Sequence, residues 1–526
     1  MTSPLAGTTL LARIALRTGW RSAAAWVIGL VALFLATGQS LGALYDTPAK
    51  LATYSASLGD AMVMLTGRVA GLDTLGGVMM NEFAFIVSFA IPIMAIALTC
   101  AATRKEEETG RTELLLSARV GRLAPVTAGL VVVVGIFSLL ALALWAATFT
   151  LDIDRGGAAL YAASIAATGC VYAAGTAVLA QAFSHTRTVW AFALALAGLT
   201  LVTRGIGDTR ENALTWASPL GWHGLVRPFG DPRIAPLLLS IAAAIVLGAL
   251  AVWLAGRRDV GDGMIDSRPG PARATTWRAS RAGVTVHQHL GAVIGWTIGV
   301  VALMSLYGSL MNVVLEAITS NPDLAMFLAD TGMVVDQVVQ MLVVFTGFLG
   351  AGFALQSLAG LRGEETSARL ELELSTQRPR ISWLAGHAVV VAAGAVVVVA
   401  AGSLAYAATT VMALDEPARF GSIAAAGLWQ LPAVLVFAAL SVGLFGLAPR
   451  LQTLAWAVFV VAVVVSFMGP TLQLTDAQMR LSPFGAVGDA PSGPVDTTGV
   501  VVLLAVTLAL VAAGLVGFRR RDVPRT

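Results

Sequence analysis

Apolar runs of about twenty residues, nearly free of charge, recur along this chain, and each is long enough to cross a hydrocarbon layer roughly 30 Å thick. Inside such a layer the backbone must satisfy its own hydrogen bonds, so each run is read as a helix. The spans are predicted near residues 23–44, 83–102, 124–150, 158–183, 188–204, 234–255, 291–315, 339–360, 384–413, 420–446, 453–471 and 499–518. The short alternating segments of a transmembrane barrel are not seen. Only 12% of the residues are charged, against about 25% in a soluble domain, so the chain cannot cover itself with a solvated surface. The fold class is all-α and polytopic, with about twelve transmembrane helices.

An even number of spans returns both termini to one side. That side carries 24 of the 33 basic residues, and loops rich in Arg and Lys stay in the cytoplasm. Both termini are therefore expected there. Two charged segments, 103–123 and 361–383, break the apolar pattern on the same side. The first reads Glu107-Glu108-Thr109-Gly110-Arg111-Thr112-Glu113-Leu114-Leu115-Leu116-Ser117 and closes at Arg122. The second reads Glu364-Glu365-Thr366-Ser367-Ala368-Arg369-Leu370-Glu371-Leu372-Glu373-Leu374-Ser375 and closes at Arg380. With one inserted residue, Glu-Glu-Thr, Arg-x-Glu-Leu-x-Leu-Ser and the closing Arg align.

Two further pairs follow in the same order. Ser218-Pro219-Leu220-Gly221 matches Ser482-Pro483-Phe484-Gly485, and Arg257-Arg258-Asp259-Val260 matches Arg520-Arg521-Asp522-Val523. The chain thus reads as an internal duplication: a six-helix half over 1–260, a Gly- and Pro-containing linker over 261–285, and a second half over 286–526. Each charged segment follows the second span of its half, so the halves keep one orientation and are parallel repeats about an axis along the membrane normal. Glu106 to Glu108 suit a helix N-terminus. The Leu-Glu alternation of the second copy has the period of a strand, while the propensity of those residues favours a helix.

Several chemistries are excluded or disfavoured. A phosphate-binding Walker loop needs Gly-Lys-Ser/Thr, and the two lysines, Lys50 and Lys105, follow Ala49 and Arg104. Ionisable residues in mid-membrane, which ion-coupled carriers use, are nearly lacking: Glu82, Arg204, Glu316 and Asp336 fall near the outer boundary and His387 near the inner one. Gly38-Gln39-Ser40-Leu41-Gly42 fits a nucleophile-elbow pattern but ends a membrane span, where helix packing is the better reading. His287 and His289 point to different faces of a helix, so no metal site is assigned. Cys100 and Cys170 both lie in apolar runs and imply no disulfide framework. No catalytic residue and no nucleic-acid partner is expected.

At the charged segments, the Ser-Pro-x-Gly elements and the Arg-Arg-Asp-Val termini, the chain resembles the membrane subunits of ABC exporters built from six-helix units. It is similar in particular to the fused double permeases of actinobacteria described as exporters of polyketide antibiotics, the tetronasin-type group. That resemblance implies a bacterial plasma-membrane permease for hydrophobic or amphipathic, drug-like molecules, with no cofactor of its own. ATP and Mg would be bound by a separate ABC ATPase, a homodimer on the cytoplasmic face. It also implies that Glu107, Glu108, Gly110, Arg111 and Glu113 of the first segment, and Glu364, Glu365, Arg369 and Glu371 of the second, seat on that ATPase. Residues 10–22 would form an interfacial connecting helix, and 205–233 and 472–498 outer capping elements. Phe85, Phe89, Met94, Phe348, Phe353 and Trp429 could line the pathway or simply pack the spans. An ion-coupled twelve-helix carrier is the alternative, and a membrane-embedded transferase a third possibility.

Overall fold

The computed structural model describes residues 3–522 apart from 58–62, 64–65, 266–272, 313–330, 367–368, 376–378 and 469–473. Glu316, the middle of the expected linker and the last residues of the seventh and eleventh expected spans lie outside the described residues. Twelve helices are long and apolar enough to cross a membrane, and among the described residues there is no strand beyond an isolated bridge between Gly488 and Val495. The chain is an all-α polytopic membrane protein. It divides into two compact units, Met1–Gly270 and Pro271–Thr526.

Unit 1 contains α1 (Thr8–Leu44), α2 (Pro48–Ser57), α3 (Leu75–Ala102), α4 (Arg104–Glu108), α5 (Arg111–Leu116), α6 (Ala124–Ala147), α7 (Arg155–Ala182), α8 (Thr186–Thr209), α9 (Pro219–Leu225) and α10 (Ala235–Ala255). α3 and α7 form its buried centre, and α1, α6, α8 and α10 pack around them. Lipid offers no hydrophobic drive for helix association, so the packing rests on close approach of small residues. α7 is rich in Ala and Gly for this reason. A Cβ on Gly169 would run into the ring of Phe137, which is fully buried against it.

Unit 2 contains α11 (Arg281–Ser309), α12 (Thr331–Thr366), α13 (Arg369–Ser375), α14 (Arg380–Leu414), α15 (Phe420–Leu428), α16 (Leu431–Leu447), α17 (Leu454–Met468) and α18 (Thr497–Arg520). α12 and α16 form its centre, α11 lies along α14, and α18 lies along α16. The second charged segment is helical at α13, so propensity prevails there over the two-residue alternation.

The start of α1 differs from expectation. The resemblance implied an interfacial helix at 10–22 ahead of the span predicted at 23–44, but α1 is a single helix of 37 residues. Its Arg, Leu and Ala residues are good helix formers and no proline interrupts them.

The Ser-Pro-x-Gly element has the same job in both units. Ser218 donates to the Thr200 carbonyl at 2.7 Å, and Ser482 to the Ala462 carbonyl at 3.1 Å. Each ties a turn back onto the preceding span. The following apolar residue, Leu220 or Phe484, is fully buried. Glycine closes the element because a Cβ at Gly221 or Gly485 would collide with the carbonyl of Thr215 or Met479.

Candidate functional site

The first charged segment is two short helices, α4 and α5, split at Gly110. That glycine has φ +72° and nothing within 4 Å of where a Cβ would stand, a left-handed conformation that glycine adopts without penalty. Glu107 is buried between two guanidinium groups. Arg104 donates to its Oε2 at 2.6 Å, and Arg258 to Oε1 and Oε2 at 2.6 and 2.8 Å. Arg104 also donates to the carbonyls of Ser184, Gly261 and Asp262 at 2.8, 2.7 and 3.0 Å, and Arg258 to Gln181 Oε1 at 2.8 Å. Both cations are thus hydrogen-bonded as well as paired, which burial of charge demands.

Glu108 serves differently. It accepts from the backbone N–H and the hydroxyl of Thr186 at 2.7 and 2.6 Å. There it caps α8 and meets the positive end of its dipole. The chain start joins the same assembly, since Gly121 N–H donates to the Ala6 carbonyl at 2.9 Å and Leu123 N–H to the Pro4 carbonyl at 3.0 Å. Arg111 and Glu113 are exposed, with Arg111 reaching Glu106 at 3.2 Å.

Unit 2 repeats the knot among its described residues. Arg521 makes a two-pronged pair with Glu365 at 2.6 and 2.8 Å and lies over the rings of Phe445 and Phe518 at 5.1 and 5.2 Å. Arg380 donates to the Arg521 carbonyl at 2.8 Å, as Arg122 does to that of Arg258 at 2.6 Å. Glu364 pairs with Arg369 at 3.3 Å, as Glu106 does with Arg111. Glu371 is exposed.

These contacts correct the alignment of the two segments. Glu107 and Glu365 play one part, as do Glu106 and Glu364, and Arg122 and Arg380. The register is gapless at 258 residues, and no inserted residue is needed. Glu108 then stands opposite Thr366 and Gly110 opposite Ala368. The same register aligns the outward-facing residues. Leu114 is 74% exposed and Leu372 72%, while Thr112 and Leu370, two residues earlier, are buried. Arg104, Arg258 and Arg521 are participants that the sequence did not mark, although the repeated Arg-Arg-Asp-Val pointed to two of them.

The aromatic candidates scatter. Phe85 and Phe89 are half-buried neighbours on α3 with ring centres 4.7 Å apart. Met94 is fully buried in the core of unit 1. Phe348 meets Phe484 at 4.7 Å, Phe353 is buried near Trp296 at 6.4 Å, and Trp429 is exposed.

A second polar group lies at the other end of unit 1. Arg204 and Asp208 are buried, with Arg204 donating to Ser88 Oγ at 3.0 Å and Asp208 accepting from Thr215 Oγ1 at 2.8 Å. Tyr54 donates to Glu82 at 2.6 Å, and burial, reinforced by that carboxylate, raises its pKa. His223 of α9 is bonded to Ser164 at 2.8 Å. Burial, helped by the charge of Arg204, pushes its pKa from 6.5 down to about 3. Unfolded chain takes up this proton near pH 6.5 and folded protein only near pH 3, so His223 destabilises the fold increasingly as pH falls through that window. A His223→Gln variant is expected to show a flatter melting-temperature profile between pH 6.5 and 4 than the parent, with no difference in slope above pH 7.

The chain matches, over residues 11–254 and again over 279–519, a family described as "Multidrug efflux system permease Rv1217c, C-terminal domain". It is 34% identical over 534 residues to the multidrug efflux system permease protein Rv1217c of Mycobacterium tuberculosis (strain ATCC 25618 / H37Rv), covering 99% of this chain and 96% of that relative.

Proposed function

Because the chain belongs to the family of the multidrug efflux system permease Rv1217c, we propose that it is the membrane subunit of an ATP-driven exporter of hydrophobic or amphipathic small molecules. It is an efflux permease, a transporter and not an enzyme. Energy comes from a separate ATP-binding-cassette ATPase, a homodimer bound beneath the charged segments on the cytoplasmic side, where both termini also lie. The observation that carries this reading is the pair of exposed leucines, Leu114 and Leu372, at one register position of two segments whose buried acids hold them in place. An exposed leucine on a short helix braced by ion pairs suits a partner's groove, whereas a solvated loop needs no such bracing.

The acidic residues accordingly work from behind. Glu107, Glu108 and Glu365 brace the segments against their units, while Arg111, Glu113, Arg369 and Glu371 border the leucines. The ion-coupled alternative has less support. Glu107, Glu108 and Glu365, the acids at the ends of spans, are engaged in ion pairs or a helix cap.

The test is co-expression with candidate ATPases followed by pull-down. The double variant Leu114→Asp/Leu372→Asp is expected to capture at least tenfold less ATPase, equivalent to about 1.4 kcal/mol, while still inserting in the membrane. Undiminished capture would overturn the docking assignment. Export that persists without ATP and stops when the proton gradient is dissipated would favour the ion-driven reading.

A further inference from the structure

A cleft of about 730 Å³ opens in unit 1 where the early turns of α1 face the end of α3, the segment α4–α5 and the start of α6. Its lining includes the buried Leu98, Val133 and Ile136 and, on the charged segment, the exposed Lys105 and Arg111 beside Glu106 and Glu107. Along α1 it runs from Leu11 to Ser22, about 16 Å at the rise of a helix. The volume is in the range of small-molecule sites, about 300–1,000 Å³.

The internal duplication shows why the space is there. With Trp26 and Gly29 set against Trp296 and Gly299, Gly19 corresponds to His289. With Arg122 set against Arg380, Pro125 and Gly129 correspond to Trp383 and His387. In unit 2 these three large side chains are buried together. His289 Nε2 and His387 Nδ1 share a hydrogen bond at 2.9 Å, and the ring of Trp383 lies 4.6 Å from that of His387. In unit 1 the same places hold two glycines and a proline: a Cβ on Gly19 would meet nothing within 4 Å, whereas one on Gly129 would lie 3.0 Å from the Ala102 carbonyl, so the space is open on the α1 side. Unit 2 fills this place with His289, and unit 1 leaves it open at Gly19.

We infer that the unit 1 cleft binds an anionic membrane lipid, with an acyl chain between α1, α3 and α6 and a phosphate-bearing headgroup at Lys105 and Arg111. Charge selects this occupant. Glu107 is already neutralised by two guanidinium groups, and Glu106 shares Arg111 at 3.2 Å. α1 carries Arg13, Arg17 and Arg21, all exposed, and no acidic residue. Basic clusters at the ends of spans attract anionic headgroups. A lipid rather than a peptide fits because Leu16, at the cleft, and neighbouring Trp20 are exposed on α1, the side-chain types that face the membrane boundary.

The test uses the full chain in phosphatidylcholine vesicles doped with a diazirine-acyl phosphatidylglycerol, with adducts mapped by mass spectrometry. It needs neither ATPase nor transport, so its outcome is independent of the proposed function. Adducts are expected within residues 98–103 and 132–136. They should fall at least tenfold in Gly19→Phe, whose ring would occupy the open space, and several-fold in Lys105→Gln/Arg111→Gln. Gly19→Val provides a smaller filling should the phenylalanine impair folding. Equal labelling of wild type and both Gly19 variants would overturn the inference. So would equal labelling by the phosphatidylcholine analogue, or protection by an uncharged hydrophobic drug but not by excess phosphatidylglycerol.

Discussion

Glu107→Gln is expected to destabilise unit 1 by roughly 3–5 kcal/mol, the cost of leaving buried charges without their partner. The amide keeps the shape of the side chain but removes the charge that Arg104 and Arg258 share across it. Two guanidinium groups then face one another in a buried site. Glu108→Gln should cost only about 1 kcal/mol, because it weakens a helix cap and leaves no buried cation unpaired. Thermal unfolding of the purified protein in detergent separates the two cases. A Glu107→Gln protein melting with or above Glu108→Gln would mean that the paired arginines are not balanced by this carboxylate. Adding Arg258→Met to Glu107→Gln should recover part of the loss, since the remaining pair of charges would no longer repel.

Gly446→Leu should be about as severe, at roughly 3 kcal/mol by overpacking, and should act on unit 2. α16 and α18 meet through glycines on both sides, Gly443 and Gly446 against Gly514 and Gly517. A Cβ at Gly446 would fall onto the Gly514 carbonyl, and one at Gly514 would lie 2.6 Å from the Val442 carbonyl. Backbone cannot step aside as a flexible side chain can, so the helices must separate along their length. Loss of that contact would also loosen Arg521, which follows α18 and holds Glu365. Cysteine accessibility at the buried position 370 in a Leu370→Cys background, which keeps Glu365, reads the coupling with and without Gly446→Leu. Unchanged accessibility together with an unchanged melting temperature would mean that the glycine contact is not what holds these helices.

The membrane character of the chain was legible because hydropathy records where a helix enters lipid. It does not record where the helix begins, so α1 and α11 start well before their apolar runs. The repeated segments were visible as letters, but their register was not. Matching Glu-Glu-Thr to Glu-Glu-Thr is the natural choice until Arg258 and Arg521 are seen to select Glu107 and Glu365 from more than a hundred residues away. Which residues face outward was hidden for a similar reason. Thr112 and Leu114 differ in exposure because of what packs behind α5, and no local pattern encodes that. Arg204 seemed a boundary residue. It is buried because α8 continues to Thr209 and Asp208 draws the 66–74 loop over its end, through the Arg68 backbone at 3.3 Å.

The uninterrupted course of α1 has a mechanical consequence. Thirty-seven helical residues form a rod of roughly 55 Å, and its near end is stitched by backbone hydrogen bonds to the turn that follows α5. A hinge at the membrane surface would absorb a push on that turn, but this rod has none. A push on Pro4 and Ala6 therefore crosses a single left-handed residue, Gly7, before it meets a rod that carries it toward Leu44.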